Sequence, residues 1–187
     1  MGKINLTWQA SLDGVVTDLE KWMNMPDEIV ADSLAYYDGL DAIIIGGNTY
    51  AGLAEYWQHA ETSSPSELER RFAKKINDMK KYVISSEPKE LVWRNSEQIL
   101  FEDEHALRSK MEQLKRQFPN DISVESGLGS WQKFITQNQY DRIHICVHPV
   151  IAGSGKKVFE GVMPETLEVI STKEYPNGVI STWYEKK

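Results

Sequence analysis

Ala42-Ile43-Ile44-Ile45-Gly46-Gly47-Asn48-Thr49 decides the fold class. Four consecutive apolar residues make a run too short for an ordinary helix, and their lack of alternation fits a strand buried on both faces. The run breaks abruptly at Gly46-Gly47, where a glycine turn leads into a helix start. Strands of this kind sit at the centre of a sheet covered by helices on both sides, so the rest of the chain should alternate strands with helices.

Upstream, Ile4, Leu6, Trp8 and Ala10 alternate with Asn5, Thr7 and Gln9, a first strand with one face more apolar than the other, ending at the turn Ser11-Leu12-Asp13-Gly14. From Asp27, after Pro26, the residues Val30, Leu34 and Tyr37 recur at helical spacing up to Gly39. Downstream, Ser66-Glu67-Leu68-Glu69 is a capping box for a helix with the stripe Leu68, Phe72, Ile76 and Met79, followed by a strand at Tyr82-Val83-Ile84. Leu107, Met111, Leu114 and Phe118 mark another helix before the strand Ile122-Ser123-Val124 and a turn with Gly127 and Gly129. A helix with Trp131, Phe134 and Ile135 inward and a strand with Ile143, Ile145 and Val147 follow. Two last strands, near 167 to 172 and 179 to 185, are joined through the hairpin signal Tyr175-Pro176-Asn177-Gly178. The expectation is one α/β domain over residues 1 to 187, with a mixed, mainly parallel sheet, a C-terminal antiparallel hairpin and helices on both faces. Ala60 to Pro65 reads as a mobile loop.

Composition narrows the function. At 187 residues and 41% hydrophobic content the chain can bury one sizeable core. Its formal charge of -7 has the wrong sign for nucleic acid or an anionic membrane. No stretch has the apolar length of a membrane span and the N-terminus lacks the apolar core of a signal peptide, so a cytoplasmic protein is expected. The single cysteine, Cys146, cannot form an intramolecular disulfide or a cysteine-based metal cluster.

Two segments combine a strand, a glycine turn and a helix start: Ile45-Gly46-Gly47-Asn48-Thr49 and Val124-Glu125-Ser126-Gly127-Leu128-Gly129-Ser130. Glycine lets a phosphate approach the backbone, and the unpaired amides of a helix N-terminus carry partial positive charge. Such turns also take glycine for steric reasons alone. Ala152-Gly153-Ser154-Gly155-Lys156-Lys157 lacks the spacing of a phosphate loop and reads as a flexible connection. His144 and His148 lie roughly 13 Å apart at strand rise, too far for one metal ion, and no metal site is expected. Glu28 and Asp32 fall opposite the apolar stripe of their helix and read as solvated, whereas Asp27 is closer to the stripe, at the helix start where an N-cap is the plain reading. Among acids that could touch a substrate, Asp27 and Asp32 are the candidates on this helix, and Asp13 either serves its turn or lines a pocket mouth.

Taken in order, five segments resemble the dihydrofolate-reductase-like fold, and especially the RibD C-terminal (riboflavin-biosynthesis reductase) family. They are Ala10-Ser11-Leu12-Asp13-Gly14, Ile45-Gly46-Gly47-Asn48-Thr49-Tyr50, Val83-Ile84-Ser85-Ser86-Glu87-Pro88, Val124-Glu125-Ser126-Gly127, and His148-Pro149-Val150-Ile151-Ala152-Gly153-Ser154-Gly155-Lys156-Lys157-Val158-Phe159. The resemblance implies a three-layer α/β/α domain binding NADPH or NADH through Ala10, Gly46, Gly47, Asn48, Thr49, Ser85, Ser86, Ser126, Gly127, Leu128, Gly129 and Ser130. It implies a substrate site near Trp8, Tyr50, Gly153 and Ser154, with the 153 to 155 loop beside the Asp13-Gly14 loop. The implied activity is hydride transfer to a C=N or carbonyl carbon of a pterin-like or ribosylaminopyrimidine-like molecule, in a homodimer. A non-catalytic ligand-binding domain of the same fold is the alternative. Gly47 stands where the family has an arginine, which predicts weak discrimination between NADPH and NADH and a gain in NADPH affinity from Gly47→Arg. Ser126 stands at the first glycine of the family's second turn, a departure that, like Gly47, bears on cofactor affinity. No D-P-x-L-x-R segment follows Thr49, which favours a general reductase over one dedicated to riboflavin biosynthesis.

Overall fold

The apolar run becomes β2 (Leu40–Gly46), and residues 42 to 46 are buried as their composition demands. The computed structural model describes residues 1–187. Around β2 stand β1 (Ile4–Ser11), β3 (Lys80–Ser85), β4 (Ser96–Leu100), β5 (Asp121–Val124), β6 (Arg142–His148), β7 (Leu167–Glu174) and β8 (Ile180–Lys186). They form one eight-stranded sheet in the order β4-β3-β2-β5-β1-β6-β8-β7. The six strands from β4 to β6 are parallel, and the β7–β8 hairpin adds to β6 antiparallel. Parallel strands need crossovers, which the helices α1 (Asp27–Asp38), α2 (Gly47–Ser63), α3 (Glu67–Asp78), α4 (Glu104–Gln117) and α5 (Leu128–Thr136) supply everywhere except between β3 and β4, joined by the helix-free residues 86 to 95.

Two large apolar clusters occupy the two faces of the sheet. On one, Ile4, Leu6, Ile44 and Val124 pack with Leu107, Met111 and Leu114 of α4 and Phe134 of α5. On the other, Ile43, Ile45 and Val83 pack with Tyr37 of α1, Ala54 of α2 and Phe72 and Ile76 of α3. Strand alternation makes this division, because successive residues of β2 point to opposite faces. The capping signal at α3 operates as written, with Ser66 Oγ accepting the Glu69 amide; at α4 the structure adds a cap that the sequence reading did not name, Asp103 accepting the Ala106 amide. No helix is long and apolar enough to cross a membrane.

Three features depart from the sequence reading. Residues 60 to 63 belong to α2, which buries Ala60 and ends at Ser63; the next residue, Ser64, is extended, as the following Pro65 favours. No mobile loop starts at Ala60. Strand β4 gives almost no sequence signal, since only Ile99 of its five residues is buried at the sheet edge. The connection after β6 is held rather than loose: Asp13 accepts the amides of Ala152 and Gly153 at 2.9 and 3.0 Å, and Val16 N–H donates to Lys156. Gly155, at φ 134°, lies against Val15 and Thr17 where a side chain would not fit.

Candidate functional site

The alternation of β1 builds the site. Its apolar residues enter the core, while Thr7 and Gln9 face the other way, into a cavity of about 480 Å³. Helix α1 presents Asp32 and Tyr36 to this cavity, one helical turn apart; Asp32 borders it while its side chain stays 43% exposed, so the acid is both solvated and within reach of a ligand. Strand β6 contributes His144 and Cys146, and β8 contributes Ser181 and Trp183. The His144 ring stacks on Trp183 at 4.4 Å and 8°, and Tyr36 packs on the same indole at 5.1 Å.

Electrostatics inside the cavity follow from burial. Glu125, just past β5, is held by the hydroxyls of Ser123 and Thr7 at 2.5 and 2.8 Å, with the Tyr37 hydroxyl beside it. Burial pushes its carboxyl above the usual range, and these hydroxyls pull only partly in the other direction. His144 is driven down to about 4 by burial, so its ring is neutral near pH 7 and bonds Ser181 Oγ at 2.6 Å. Asp32 accepts the Tyr175 hydroxyl at 2.7 Å and pairs with Lys173. Burial opposes ionisation of Asp32, but these two donors prevail and its carboxyl lies below the usual range.

Beside the cavity the two glycine turns meet. Ser126 Oγ accepts the Gly46 amide at 2.9 Å, lies 3.1 Å from Thr49 Oγ1 and donates to Ser130 Oγ at 2.8 Å. A Cβ on Gly46 would overlap Ser130 Oγ, and one on Gly127 would lie 3.2 Å from Thr49 Cγ2. Gly127 has φ −102° and ψ 176°, which any residue can adopt, so what favours glycine there is this tight approach to Thr49 and not its dihedral angles. The N-termini of α2 and α5, each with amides lacking a helical partner, therefore open side by side, an arrangement suited to an anion such as a phosphate.

The remaining expected residues divide. Trp8 lines the cavity and also, with Ala10, a smaller apolar cavity on the opposite face. Tyr50 is buried away from the main cavity, accepting the Trp93 amide and contacting Ser96, which is a structural task. Asp27 is an exposed first-turn residue of α1, whose N-cap is Pro26. Asp13 anchors the 152 to 153 loop, and the Ser11 hydroxyl, together with the Ala152 and Gly153 amides, lowers its carboxyl to about 2. Gly153 and Ser154 are on or near that loop but do not line the cavity. Ser85 lies against Gly47 and Ser86 is exposed nearby. Leu128 and Gly129 are in the first turn of α5.

Position 47 is not the open, uncharged gap that its glycine suggested. A Cβ there would lie 2.9 Å from Ser85 Cβ and 3.1 Å from Lys89 Cε, so the Lys89 side chain already runs past this point. Sequence reasoning missed Lys89, Glu125, Tyr36, His144 and Trp183. Glu125 carried a signal, being a lone acid between a buried-type strand and a glycine turn, whereas the others come together only through the tertiary fold.

An eight-stranded sheet with a C-terminal hairpin, a cavity on one face and paired glycine turns at its rim defines a dihydrofolate-reductase-like α/β domain. The chain belongs to the RibD C-terminal domain family, whose model matches residues 2–181. It is 26% identical over 97% of its length to the uncharacterized protein YyaP of Bacillus subtilis (strain 168), covering 94% of that protein. Among solved structures it is similar to a pyrimidine reductase-like protein of Corynebacterium diphtheriae, with a TM-score of 0.67 at 17% identity over 98% of this chain and 91% of the other. It is also similar to RibD of Acinetobacter baumannii, with a TM-score of 0.71 at 12% identity, all of this chain matching 58% of that one. A diaminohydroxyphosphoribosylaminopyrimidine deaminase/5-amino-6-(5-phosphoribosylamino)uracil reductase of Thermotoga maritima gives a TM-score of 0.68 at 13% identity, all of this chain matching 57% of that one. At these identities the structural likeness concerns the fold.

Proposed function

We propose that this protein is an NAD(P)H-dependent reductase that adds hydride to a C=N or carbonyl carbon of a small heterocycle held in the cavity. The observation that carries this reading is the position of Ser126, which lines the cavity and also ties Gly46 to the start of α5. A dinucleotide phosphate at the turns and a substrate in the cavity would thus be neighbours. The residues present fit such a cofactor: two helix N-termini converge, Thr49 and Ser126 offer hydroxyls, and Lys89 offers a charge beside Gly47. When bound, the nicotinamide supplies the hydride.

The chain's own residues supply orientation and a proton. Tyr36 and Trp183 give a flat ligand an aromatic wall, and Asp32 gives it a hydrogen-bond acceptor. Glu125 is the proton carrier the site offers, because burial disfavours its carboxylate and raises its proton affinity. In reduction of a C=N bond, hydride goes to carbon and the Glu125 proton goes to nitrogen. The carboxylate left behind is stabilised by the Ser123 and Thr7 hydroxyls and takes a new proton from solvent.

Fluorescence titration with NADPH and NADH, then turnover with dihydrofolate and the phosphoribosylaminouracil, tests this reading. Glu125→Gln is expected to lower turnover by about 100-fold or more, the usual scale of a lost general acid, with cofactor affinity nearly unchanged. Failure to bind either dinucleotide at millimolar concentration refutes it. That result would favour a non-catalytic ligand-binding domain, a reading supported by the Gly46 amide, which is already taken by Ser126.

A further inference from the structure

The connection from β3 to β4 carries Lys89, whose Cε lies 3.1 Å from the point that a Cβ on Gly47 would occupy. Residues 86 to 92 of this connection make no backbone-to-backbone hydrogen bond, so side chains must hold it. Its far end is pinned from β3 and α2. The Trp93 amide donates to the Tyr50 hydroxyl at 2.8 Å, Lys81 Nζ donates to the Arg94 carbonyl at 3.2 Å, and the Lys81 amide donates to the Asn95 carbonyl at 2.9 Å.

The near end has a different holder. Gln98, on the edge strand β4, accepts the Lys89 amide at 3.0 Å through Oε1 and donates to the Glu87 carbonyl at 2.7 Å through Nε2. Ser85 Oγ accepts the Glu87 amide at 3.1 Å, and Pro88 between them has no amide to satisfy. One carboxamide thus takes a carbonyl and an N–H two residues apart, a pairing that its single acceptor oxygen and its NH₂ group can both serve at once. The register makes this reach possible, because Gln98 lies opposite Val83, two residues before the end of β3. Fixing the backbone at residue 89 also lowers the entropy that a lysine loses when its charge is held in one place.

Resting on the reductase reading above, we propose that Gln98 is a positioning residue for cofactor selection: by clasping residues 87 to 89 it holds Lys89 beside Gly47, where the lysine charge receives the adenosine 2′-phosphate. Gln98 acts through Lys89 and has no contact of its own with the cofactor. The edge strand that the sequence did not announce is then what sets the charge at the first glycine turn.

Amide hydrogen exchange on the ligand-free, full-length chain tests the clasp, and fragment binding tests its consequence. Gln98→Met removes both hydrogen bonds at similar side-chain length. Exchange at the Lys89 amide is expected to quicken about tenfold or more, while the Lys81 and Trp93 amides at the far pin keep their rates and report an intact fold. Gln98→Asn, one methylene too short to reach both groups, should give the same pattern. The fragments are adenosine 2′,5′-bisphosphate and adenosine 5′-monophosphate, which differ only in the 2′-phosphate. The unmodified chain is expected to favour the bisphosphate about tenfold or more, and Gln98→Met to bring the two within about threefold. In a Lys89→Gln background, Gln98→Met should change this ratio no further, because nothing is left to position. Unchanged exchange at Lys89, no preference for the bisphosphate in the unmodified chain, or an equal loss from Gln98→Met with and without Lys89 overturns the proposal. Dinucleotide titration judges the reductase reading separately: a chain that binds NADPH and NADH alike keeps that reading and loses this one, whereas a chain that selects the bisphosphate yet binds neither dinucleotide does the reverse.

Discussion

On the reductase reading, Lys89 should give the site a preference for NADPH, and replacing it by glutamine should leave a site that does not separate NADPH from NADH. The Lys89 Cε stands 3.1 Å from the point that a Cβ on residue 47 would occupy, and its ammonium lies one bond beyond. Lys89 forms no ion pair within the chain, so its charge is available to an anion. A charge-assisted hydrogen bond to the adenosine 2′-phosphate contributes about 1.5–3 kcal/mol, which is roughly 10- to 150-fold in affinity. Lys89→Gln should weaken NADPH by that factor and leave NADH within about threefold. Gly47→Arg should not improve NADPH binding as the sequence suggested, because its Cβ would crowd Ser85 Cβ at 2.9 Å and its charge would oppose Lys89. Titrations of both dinucleotides at one fixed ionic strength give the answer, since screening weakens the contact. An equal loss for both cofactors, or a selective NADPH gain in Gly47→Arg, would refute the argument.

Gly127→Val should lower dinucleotide affinity at least tenfold with little change in thermal stability, because its side chain would press Thr49 away from Ser126 without straining an extended backbone; unchanged affinity would remove Gly127 from the site. His144, held at about 4 against an unfolded value near 6.5, binds its proton less readily when folded, so its contribution is complete above pH 6.5 and is lost as pH falls from 6.5 to 4. The loss is up to about 3 kcal/mol, and denaturant unfolding at pH 7 and pH 4.5 should show His144→Gln to be less pH-sensitive than the unmodified chain. His148 is lowered in the same direction, so the comparison with the variant, rather than the slope itself, isolates His144. A homodimer is expected from the family resemblance, with Val169 and Ile170 exposed on the edge strand β7 as surface to bury; sedimentation showing only monomer at tens of micromolar would remove that expectation.

The local pattern by itself determined the alternation of strands and helices, the buried run at β2, the two glycine turns and the capped start of α3. These follow from period, capping and turn chemistry, which act over a few residues. The five ordered segments carried the family and hence the fold. Strand β4 stayed invisible because an edge strand needs few apolar residues, and residues 60 to 63 misled because polar residues are tolerated on the outer face of a helix. The site itself was decided by tertiary structure. Parallel order puts β5 between β2 and β1, which brings Glu125 against Thr7 across 118 residues of sequence, and the hairpin folds Trp183 onto His144. Lys89 reaches Gly47 only because β3 pairs with β2. Such contacts depend on strand order and register, which local propensity does not encode, so the sequence named the turns while the sheet chose which charged and aromatic groups would face the cavity between them.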